Sequence, residues 1–227
     1  MKNIFLLIVF IALFNNSFAQ DSSNHKCQEL KHGIQFQVTN LLNLTNYGGY
    51  TLAYRYQITR NSGLRFGVYT SISNEDYEIT QQIDTIINKP PVEAENFNIK
   101  FSLQYLHRIL NYHDFDLLVG GGPFFAINNS EYYDEYLNGS SSITKYTSKN
   151  DATSFGVDLL VDVEYRLTNN VVLSGEYGFV LTLEQTEFEE RRVEDYFTSQ
   201  IVRSESGTRD RISFRGSNVS LGLTIFF

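Results

Sequence analysis

The last nine residues of the chain set the strongest limit on its fold. Apolar side chains take every second position there, and most of the positions between them are small or polar: the apolar set is Val219, Leu221, Leu223, Ile225 and Phe227. Side chains of a β-strand point alternately to its two faces, so a period of two predicts a strand with one apolar face. Because this face runs to an aromatic carboxyl terminus, the segment has the pattern of a membrane-barrel strand.

The same alternation recurs in seven earlier segments. The clearest covers residues 155–167, where Phe155, Val157, Leu159, Val161, Val163, Tyr165 and Leu167 share one parity. The chain contains 15 Tyr and 18 Phe but no Trp and only 3 Pro, and many of these aromatic residues fall near segment ends. Aromatic side chains at strand ends are typical of the interfacial belts of a membrane barrel.

The connections between the segments are alternately tight and longer. Tight polar turns occupy residues 59–62, 111–113 and 168–170, and the other connections cover about 44–49, 72–96, 128–152 and 185–211. A bilayer offers no partner for an unpaired backbone amide, so a lipid-facing sheet must close on itself. We therefore predict an all-β fold, an eight-stranded antiparallel transmembrane up-and-down β-barrel over residues 33–227, with long extracellular loops at about 72–96, 128–152 and 185–211.

The amino-terminal residues predict export from the cytoplasm. Lys2 precedes an apolar run over residues 4–14, and the small residues Ser17 and Ala19 come just before Gln20. A run of about eleven apolar residues is too short for a membrane-spanning helix, which needs roughly 20. We predict a cleaved signal peptide over residues 1–19, a flexible periplasmic lead over residues 20–32, and an integral protein of the bacterial outer membrane with both termini periplasmic.

Charge and cysteine content exclude several classes of protein. The formal net charge is −8, and it becomes −9 when Lys2 leaves with the signal peptide. An acidic chain of this kind is not expected to bind nucleic acid or anionic lipid surfaces. Cys27 is the single cysteine, so neither an intramolecular disulfide nor a zinc site with several cysteines can form. We interpret Cys27 as a free thiol.

The polar parity of the segments carries the candidate functional residues. If the apolar parity faces lipid, the polar side chains point into the lumen, and the charged ones among them are Arg55, Arg65, Lys100, Asp116, Asp158, Asp162, Glu164, Arg166 and Glu176. An eight-stranded barrel is just wide enough inside for side chains to fill it, so opposite charges are expected to pair across the axis. Such a plug favours a closed lumen, and the alternative is a narrow gated channel for ions or small solutes.

The long connections carry the second candidate surface. Residues 72–96 are strongly acidic, residues 128–152 add several tyrosines, and residues 185–211 mix both signs of charge. Tyrosine rings bury much area at little entropic cost, which suits contact with a partner. The alternation also continues into these connections, at Tyr77, Ile79 and Gln81 and again at Phe197, Ser199 and Ile201, which indicates that some strands extend beyond the membrane as hairpins.

No pattern in the chain predicts a catalytic centre, a cofactor or a metal site. The histidines lie in the lead, at His25 and His32, or beside a tight turn, at His107 and His113. We therefore expect a non-enzymatic monomer that contacts outer-membrane lipid, the barrel-insertion machinery and, through its loops, an extracellular protein partner. The main alternative is the porin-like channel, and a more distant one is a secreted lipocalin-like barrel with an apolar interior.

The signal, the eight alternating segments and the terminal phenylalanine resemble the small outer-membrane β-barrel, porin-like family of Gram-negative bacteria. The resemblance covers residues 33–227, and it implies that Asn218 to Phe227, with Val219, Leu221, Leu223, Ile225 and Phe227, form the assembly signal that the insertion machinery reads. Members of this family serve as adhesins, envelope-stabilising proteins, narrow channels or secretion accessories. The segment departs from a regular pattern at Gly216 and Ser217, where the apolar parity changes and a bulge is predicted.

Overall fold

The computed structural model describes residues 31–39, 49–78, 81–83, 86–88, 91–137, 142–196, 199–217 and 219–227. The predicted signal peptide and Cys27 lie outside these residues, as does all of the predicted lead except Lys31 and His32. Among the described residues, no helix has the length and apolar character needed to span a membrane.

Eleven strands account for nearly all the described residues. They are β1 (His32–Thr39), β2 (Tyr50–Thr59), β3 (Ser62–Glu78), β4 (Gln81–Ile83), β5 (Ile86–Asn88), β6 (Pro91–Tyr112), β7 (Phe115–Leu137), β8 (Ser142–Arg166), β9 (Val171–Tyr196), β10 (Ser199–Gly216) and β11 (Ser220–Phe226).

Nine of these strands form one sheet that closes into a ring. Its order is β10-β9-β11-β1-β2-β3-β6-β7-β8, and β8 also pairs with β9, while β4 and β5 form a separate small hairpin. All the pairings are antiparallel. β10 and β11 share one position in the wall, because β10 pairs with residues 179–196 of β9 and β11 with residues 171–176. The ring therefore has eight strand positions, which confirms the predicted eight-stranded antiparallel up-and-down barrel.

The break between β10 and β11 lies where the sequence predicts a bulge. Ser217 donates its backbone N–H to the carbonyl oxygen of Gly178 at 2.8 Å, and the Gly178 N–H donates to the Ser217 hydroxyl at 2.8 Å. The outward side chains are even-numbered before the break and odd-numbered after it, as at Phe214 and Leu221, which are 67% and 45% exposed. The break thus changes the parity of the last strand while it stays attached to β9.

The apolar parity points outward around the ring. On β2, Leu52 and Tyr54 are exposed, whereas Ala53 and Arg55 are buried. On β8 the outward apolar residues run from Tyr165 to Phe155, a length of roughly 33 Å along the strand, which the tilt of a barrel strand reduces to about 25 Å of height. That height matches the apolar band of a transmembrane barrel, and the outward direction excludes the lipocalin-like alternative.

The top of the apolar band slants across the register of the sheet. Ile72 on β3 is the Cα partner of Phe97 on β6, and the line of successive Cα partners continues across β7 and β8 to Glu187 and Thr208. We call this line of partners a row. On β9 and β10, however, the continuous run of outward apolar residues ends at Leu183 and Ile212, four residues lower than this row. A slant of this kind is expected when strands are tilted against the barrel axis.

The three segments predicted as long loops are strand over most of their length. β3 continues to Glu78 and β6 begins at Pro91, and the hairpins β7–β8 and β9–β10 extend in the same way. We call the described residues beyond the band the protruding sheet: 73–78, 91–96, 128–137, 142–152, 185–196 and 199–210. The strands thus extend beyond the apolar band as hairpins, as the alternation at Tyr77 and Ile201 indicates. Two adjacent alternating segments satisfy their backbone groups by pairing with each other, so these segments are more regular than loops.

The glycine run at residues 120–122 lies inside an unbroken strand, β7. β7 pairs with β8 without a gap through Gly120, Gly121, Gly122 and Pro123, while its ladder to β6 omits Leu103 and Gln104. Proline cannot donate to a ladder, so a local gap is expected beside it. A Cβ atom on Gly122 would collide with the carbonyl oxygen of Leu103, so β6 and β7 approach closely here and do not part.

Candidate functional site in the lumen and the protruding sheet

The lumen contains the nine charged residues that the sequence singled out. The alternation of each strand turns their side chains inward, and ion pairs join eight of them. Several are nearly inaccessible: Arg55 is 8% exposed, Arg65 is 2% and Glu164 is 4%. Strands that are far apart in sequence therefore meet through their side chains inside the barrel.

Two arginines hold the centre of this network. Arg55 on β2 forms an ion pair and a hydrogen bond with Glu164 on β8. Arg65 on β3 forms an ion pair with Glu176 on β9 at 2.6 Å and donates to the side-chain oxygen of Gln104 at 2.7 Å. Each guanidinium is thus charge-compensated in a place where an unpaired charge would be costly.

The network extends toward the protruding sheet through Asp158. Its carboxylate accepts from Lys100 at 2.8 Å and from Gln104 at 3.1 Å. The Lys100 ammonium also lies 4.1 Å from the ring centroid of Phe124, within cation–π range. This part of the interior is therefore closed by side chains from β6, β7 and β8.

At the opposite end of the lumen, Asp116 on β7 forms ion pairs with two arginines. Arg108 lies 3.1 Å and Arg166 lies 3.6 Å from the same carboxylate oxygen, and Asn111 donates to the other oxygen at 2.5 Å. Arg108 was not predicted, because the consecutive apolar residues Ile109 and Leu110 end the alternation of this segment beside it. The preceding inward residues Gln104 and Leu106 have the same parity and could have identified it.

Asp162 is the exception among the nine. It is 0% exposed, and neither carboxylate oxygen has a hydrogen-bond partner. Its Cα partner across the sheet is Glu176, and Glu164 is its next neighbour on the same face of β8. Like charges directly opposite each other destabilise a sheet, and here the countercharges Arg55 and Arg65 are already engaged by the neighbouring carboxylates.

A leucine cluster lies beside the charged network. Leu106, Leu118 and Leu160 come from three adjacent strands, and they are 1%, 5% and 5% exposed. They share the parity of the charged residues, so they point inward and not toward lipid. Sequence reasoning expected a polar plug, because periodicity assigns a side chain to a face but does not show which side chains meet there.

Burial of the inward side chains indicates that the lumen is filled. Gln35 and Asp162 are 0% exposed, and Leu106 and Arg65 are scarcely more exposed. Water cannot reach the surface of these side chains, so no passage as wide as a water molecule runs beside them. The arrangement is that of a packed interior of ion pairs, amides and leucines.

The protruding sheet has its own polar contacts outside the apolar band. Tyr133 donates to the carboxylate of Glu135 at 2.9 Å. Burial, followed by this hydrogen bond and the charge of Glu135, raises the pKa of Tyr133 to about 12. Lys149 and Glu131 form an exposed ion pair at 2.9 Å on the neighbouring strands, and their hydrogen bond raises the pKa of Lys149.

The predicted assembly signal forms the final strand. Leu221, Leu223, Ile225 and Phe227 are exposed on the outer face, and Val219 lies just before β11. The backbone N–H of Phe227 donates to the carbonyl oxygen of His32 at 2.8 Å, and the two rings stack at 6.2 Å. The carboxyl terminus therefore closes the ring against β1.

The described residues show no arrangement of three or more His, Cys, Asp or Glu side chains that could hold a metal ion. The inward carboxylates of the charged network face arginine, lysine or amide side chains, or in the case of Asp162 other carboxylates, and Glu184 accepts from the hydroxyl of Ser154. The chemistry available in the lumen is thus charge pairing and hydrogen bonding.

Comparisons with known proteins agree with this architecture. The family model described as the outer membrane protein beta-barrel domain matches residues 5–224. Among solved structures, the chain is similar to a major outer membrane protein from Thermus thermophilus, with 16% identity, a TM-score of 0.43 and coverage of 87% of this chain and 98% of that one. It is also similar to CarO2 from Acinetobacter baumannii, with 12% identity, a TM-score of 0.44 and coverage of 88% and 100%. No curated protein matches the chain.

Proposed function

Because the chain belongs to the outer membrane protein β-barrel domain family, we propose that it is a closed, non-enzymatic barrel that anchors the protruding sheet outside the cell for contact with a protein partner. In this orientation the tight turns and both termini are periplasmic. The barrel is a monomer surrounded by outer-membrane lipid, and it also contributes to envelope integrity. The insertion machinery reads its last strand during assembly.

The observation that carries this proposal is the burial of the inward side chains. A channel needs a continuous aqueous path, and the described lumen is filled at the level of Arg55, Arg65 and Leu106. The surface available to other molecules therefore lies on the protruding sheet, where tyrosines and both signs of charge are exposed or half-buried.

The first test is the conductance of the refolded mature chain in planar bilayers. The wild-type barrel should carry no steady current. A variant with Leu106, Leu118 and Leu160 all changed to Ala removes much of the filling and should conduct, which shows that the assay detects an open lumen. A steady wild-type current that changes in Arg65→Gln would contradict the closed barrel.

The second test addresses the protruding sheet. A short-sheet variant joins Ile72 to Phe97, Ile127 to Thr153 and Glu184 to Arg211 through Asn-Gly turns; each pair is directly opposed in the register, as a two-residue hairpin turn requires. Cells that display the wild-type barrel should adhere to immobilised serum and matrix proteins, and cells that display equal amounts of the short-sheet variant should not. Equal adhesion would contradict a contact function.

A narrow channel is the second candidate, and one observation favours it. Asp162 is a buried carboxylate without a hydrogen-bond partner, beside the pairs of Glu164 and Glu176. A lumenal carboxylate that can exchange partners with its neighbours is the element that a gate would need. If the barrel is a channel, Asp162→Asn changes the conductance. If the barrel is closed, the variant carries no steady current, like the wild type.

A further inference from the structure

One edge of the protruding sheet has no strand beside it among the described residues. β10 pairs with β9 along its entire length, from Ser199 to Gly216. On the other side the ring continues from β11 to β1, but β1 ends at Thr39, whose Cα partner is Ser220. β2 follows only from Tyr50, which pairs with Val38 on β1 and so lies no higher.

The connection between β1 and β2 is too short to cover this edge. The backbone N–H of Thr39 donates to the carbonyl oxygen of Gly49 at 3.2 Å, so these two residues lie side by side, and only nine residues separate them in the sequence. Nine residues with their ends together reach at most about 16 Å, whatever conformation they adopt. Along β9, the partner of Arg211 is Glu184 and the partner of Ser220 is Glu176. These levels are eight residues apart, about 27 Å of strand, so the edge from Ser199 to Arg211 is out of reach.

The hydrogen-bonding pattern identifies the backbone groups on this edge. Ser217 directs its N–H toward β9, and the register between β10 and β9 has no shift. In an antiparallel strand, both backbone groups of a residue point to the same side and successive residues alternate. Odd-numbered residues therefore face β9, and the open edge presents the N–H and C=O groups of Val202, Ser204, Ser206, Thr208 and Asp210.

The side chains along the edge divide into two different faces. On β10 the concave face, which continues the lumenal face, carries Arg203, Arg209 and Arg211 with Glu205, and on β9 the same face carries Glu184 opposite Arg211 and Glu190 opposite Glu205. All three arginines are exposed, and none forms an ion pair with a described residue, while Arg209 lies 5.4 Å from the ring centroid of Phe188 on the same face. The outward face carries Val202, Ser204, Ser206, Thr208 and Asp210.

We propose that the open edge of β10 takes up an extended acidic segment of an extracellular protein as an added antiparallel strand. Backbone hydrogen bonds to the even-numbered residues give the affinity, and carboxylates at every second position of the segment meet Arg203, Arg209 and Arg211 on the concave face. β10 runs toward the membrane, so the added strand runs away from it. The antiparallel order of neighbouring strands is thereby continued. This inference names the partner class of the contact surface and rests on the proposed function.

The probe is a 13-residue peptide that alternates Glu and Thr, with a Lys–Thr peptide of equal length as its control. Binding to the refolded full mature chain in micelles is followed by fluorescence anisotropy, and residue-specific amide exchange is followed by NMR. The acidic peptide should bind, and the basic peptide should bind at least tenfold more weakly. On binding, exchange of the even-numbered amides from Val202 to Asp210 should slow, while the odd-numbered amides are already protected by β9.

Two variants separate the backbone and charge contributions. Thr208→Pro removes one edge donor and obstructs an added strand without disturbing the ladder to β9, and it should weaken peptide binding at least tenfold. Thr208→Val keeps the N–H and is its matched control. The triple change of Arg203, Arg209 and Arg211 to Gln should also weaken binding at least tenfold and remove most of its salt dependence.

The other possible results distinguish failure of this inference from failure of the proposed function. Peptide binding without slower exchange at the even-numbered amides would indicate simple charge attraction. Protection of these amides that grows with protein concentration alone would identify a second copy of the chain as the occupant. If neither peptide binds while the short-sheet variant still loses adhesion, the strand-addition inference fails and the proposed function stands. If the acidic peptide binds while adhesion is unchanged by truncation, strand addition occurs but the proposed contact function fails.

Discussion

At the scale of single residues, the lumen combines charges that form ion pairs with one, Asp162, whose carboxylate has no hydrogen-bond partner. Glu164→Gln should leave the buried Arg55 without its countercharge, because these two side chains pair with each other. Removing one partner of a buried ion pair costs about 3–5 kcal/mol, and urea unfolding in micelles measures the loss. Glu131→Gln, at the exposed pair with Lys149, is the control and should cost less than about 1 kcal/mol.

Asp162 is expected to respond in the opposite sense to its neighbour. Asp162→Asn keeps the size of the side chain and removes a charge that faces Glu176 across the sheet without a hydrogen-bond partner. We expect a free energy of unfolding that is unchanged or higher by about 1 kcal/mol. A loss as large as that of Glu164→Gln would show that Asp162 has a countercharge in the folded barrel.

Tyr133 provides a residue-scale prediction outside the apolar band. Burial and the hydrogen bond to Glu135 raise its pKa to about 12, and an unfolded tyrosine titrates near 10. A raised phenol pKa stabilises the fold fully below pH 10, and this contribution is lost as pH rises from 10 through about 12. Absorbance of the phenolate should show a late titration step, and Glu135→Gln should move that step to lower pH.

At the scale of strands, the barrel depends on close approach between neighbours. A Cβ atom on Gly156 would collide with the carbonyl oxygen of Leu181 and the ring of Phe124, whereas one on Gly175 would lie 3.7 Å from Leu221, an ordinary contact. Gly156→Ala should therefore destabilise the barrel by about 1–3 kcal/mol, and Gly175→Ala should change its stability little. Equal effects in urea unfolding would contradict the close approach of β8 to its neighbours.

Particular strands also show how much could be predicted from sequence. The alternation on β8 assigns each side chain to the outer or inner face, and it is enough to predict eight strands and the inward charges. It does not predict that Arg65 meets Glu176 or that Leu106, Leu118 and Leu160 cluster, because such contacts depend on the tilt and register of strands distant in sequence. The alternation at Tyr77 and Ile201 also indicates hairpins beyond the membrane, but it does not give the full length of the protruding sheet, because turn residues are scattered through these segments.

At the scale of the whole molecule, the barrel and the protruding sheet are separable. The ion pairs of Arg55 and Arg65, the leucine cluster and the closing contact of Phe227 all lie outside the segments that the short-sheet variant removes. That variant should therefore still fold and show the heat-dependent shift in gel mobility of an intact barrel. Failure to fold, with the turns well formed, would mean that contacts within the protruding sheet are required to close the ring.

The uneven height of the wall gives the molecule a front and a back. β1 and β2 span 8 and 10 residues, whereas β7 and β8 on the far side of the ring span 23 and 25. Among the described residues, the tall side covers the concave face from behind and the low side leaves it open. On the function proposed above, a partner approaches along the cell surface from the low side, so the rotation of each molecule about the membrane normal determines which of its neighbours it can contact.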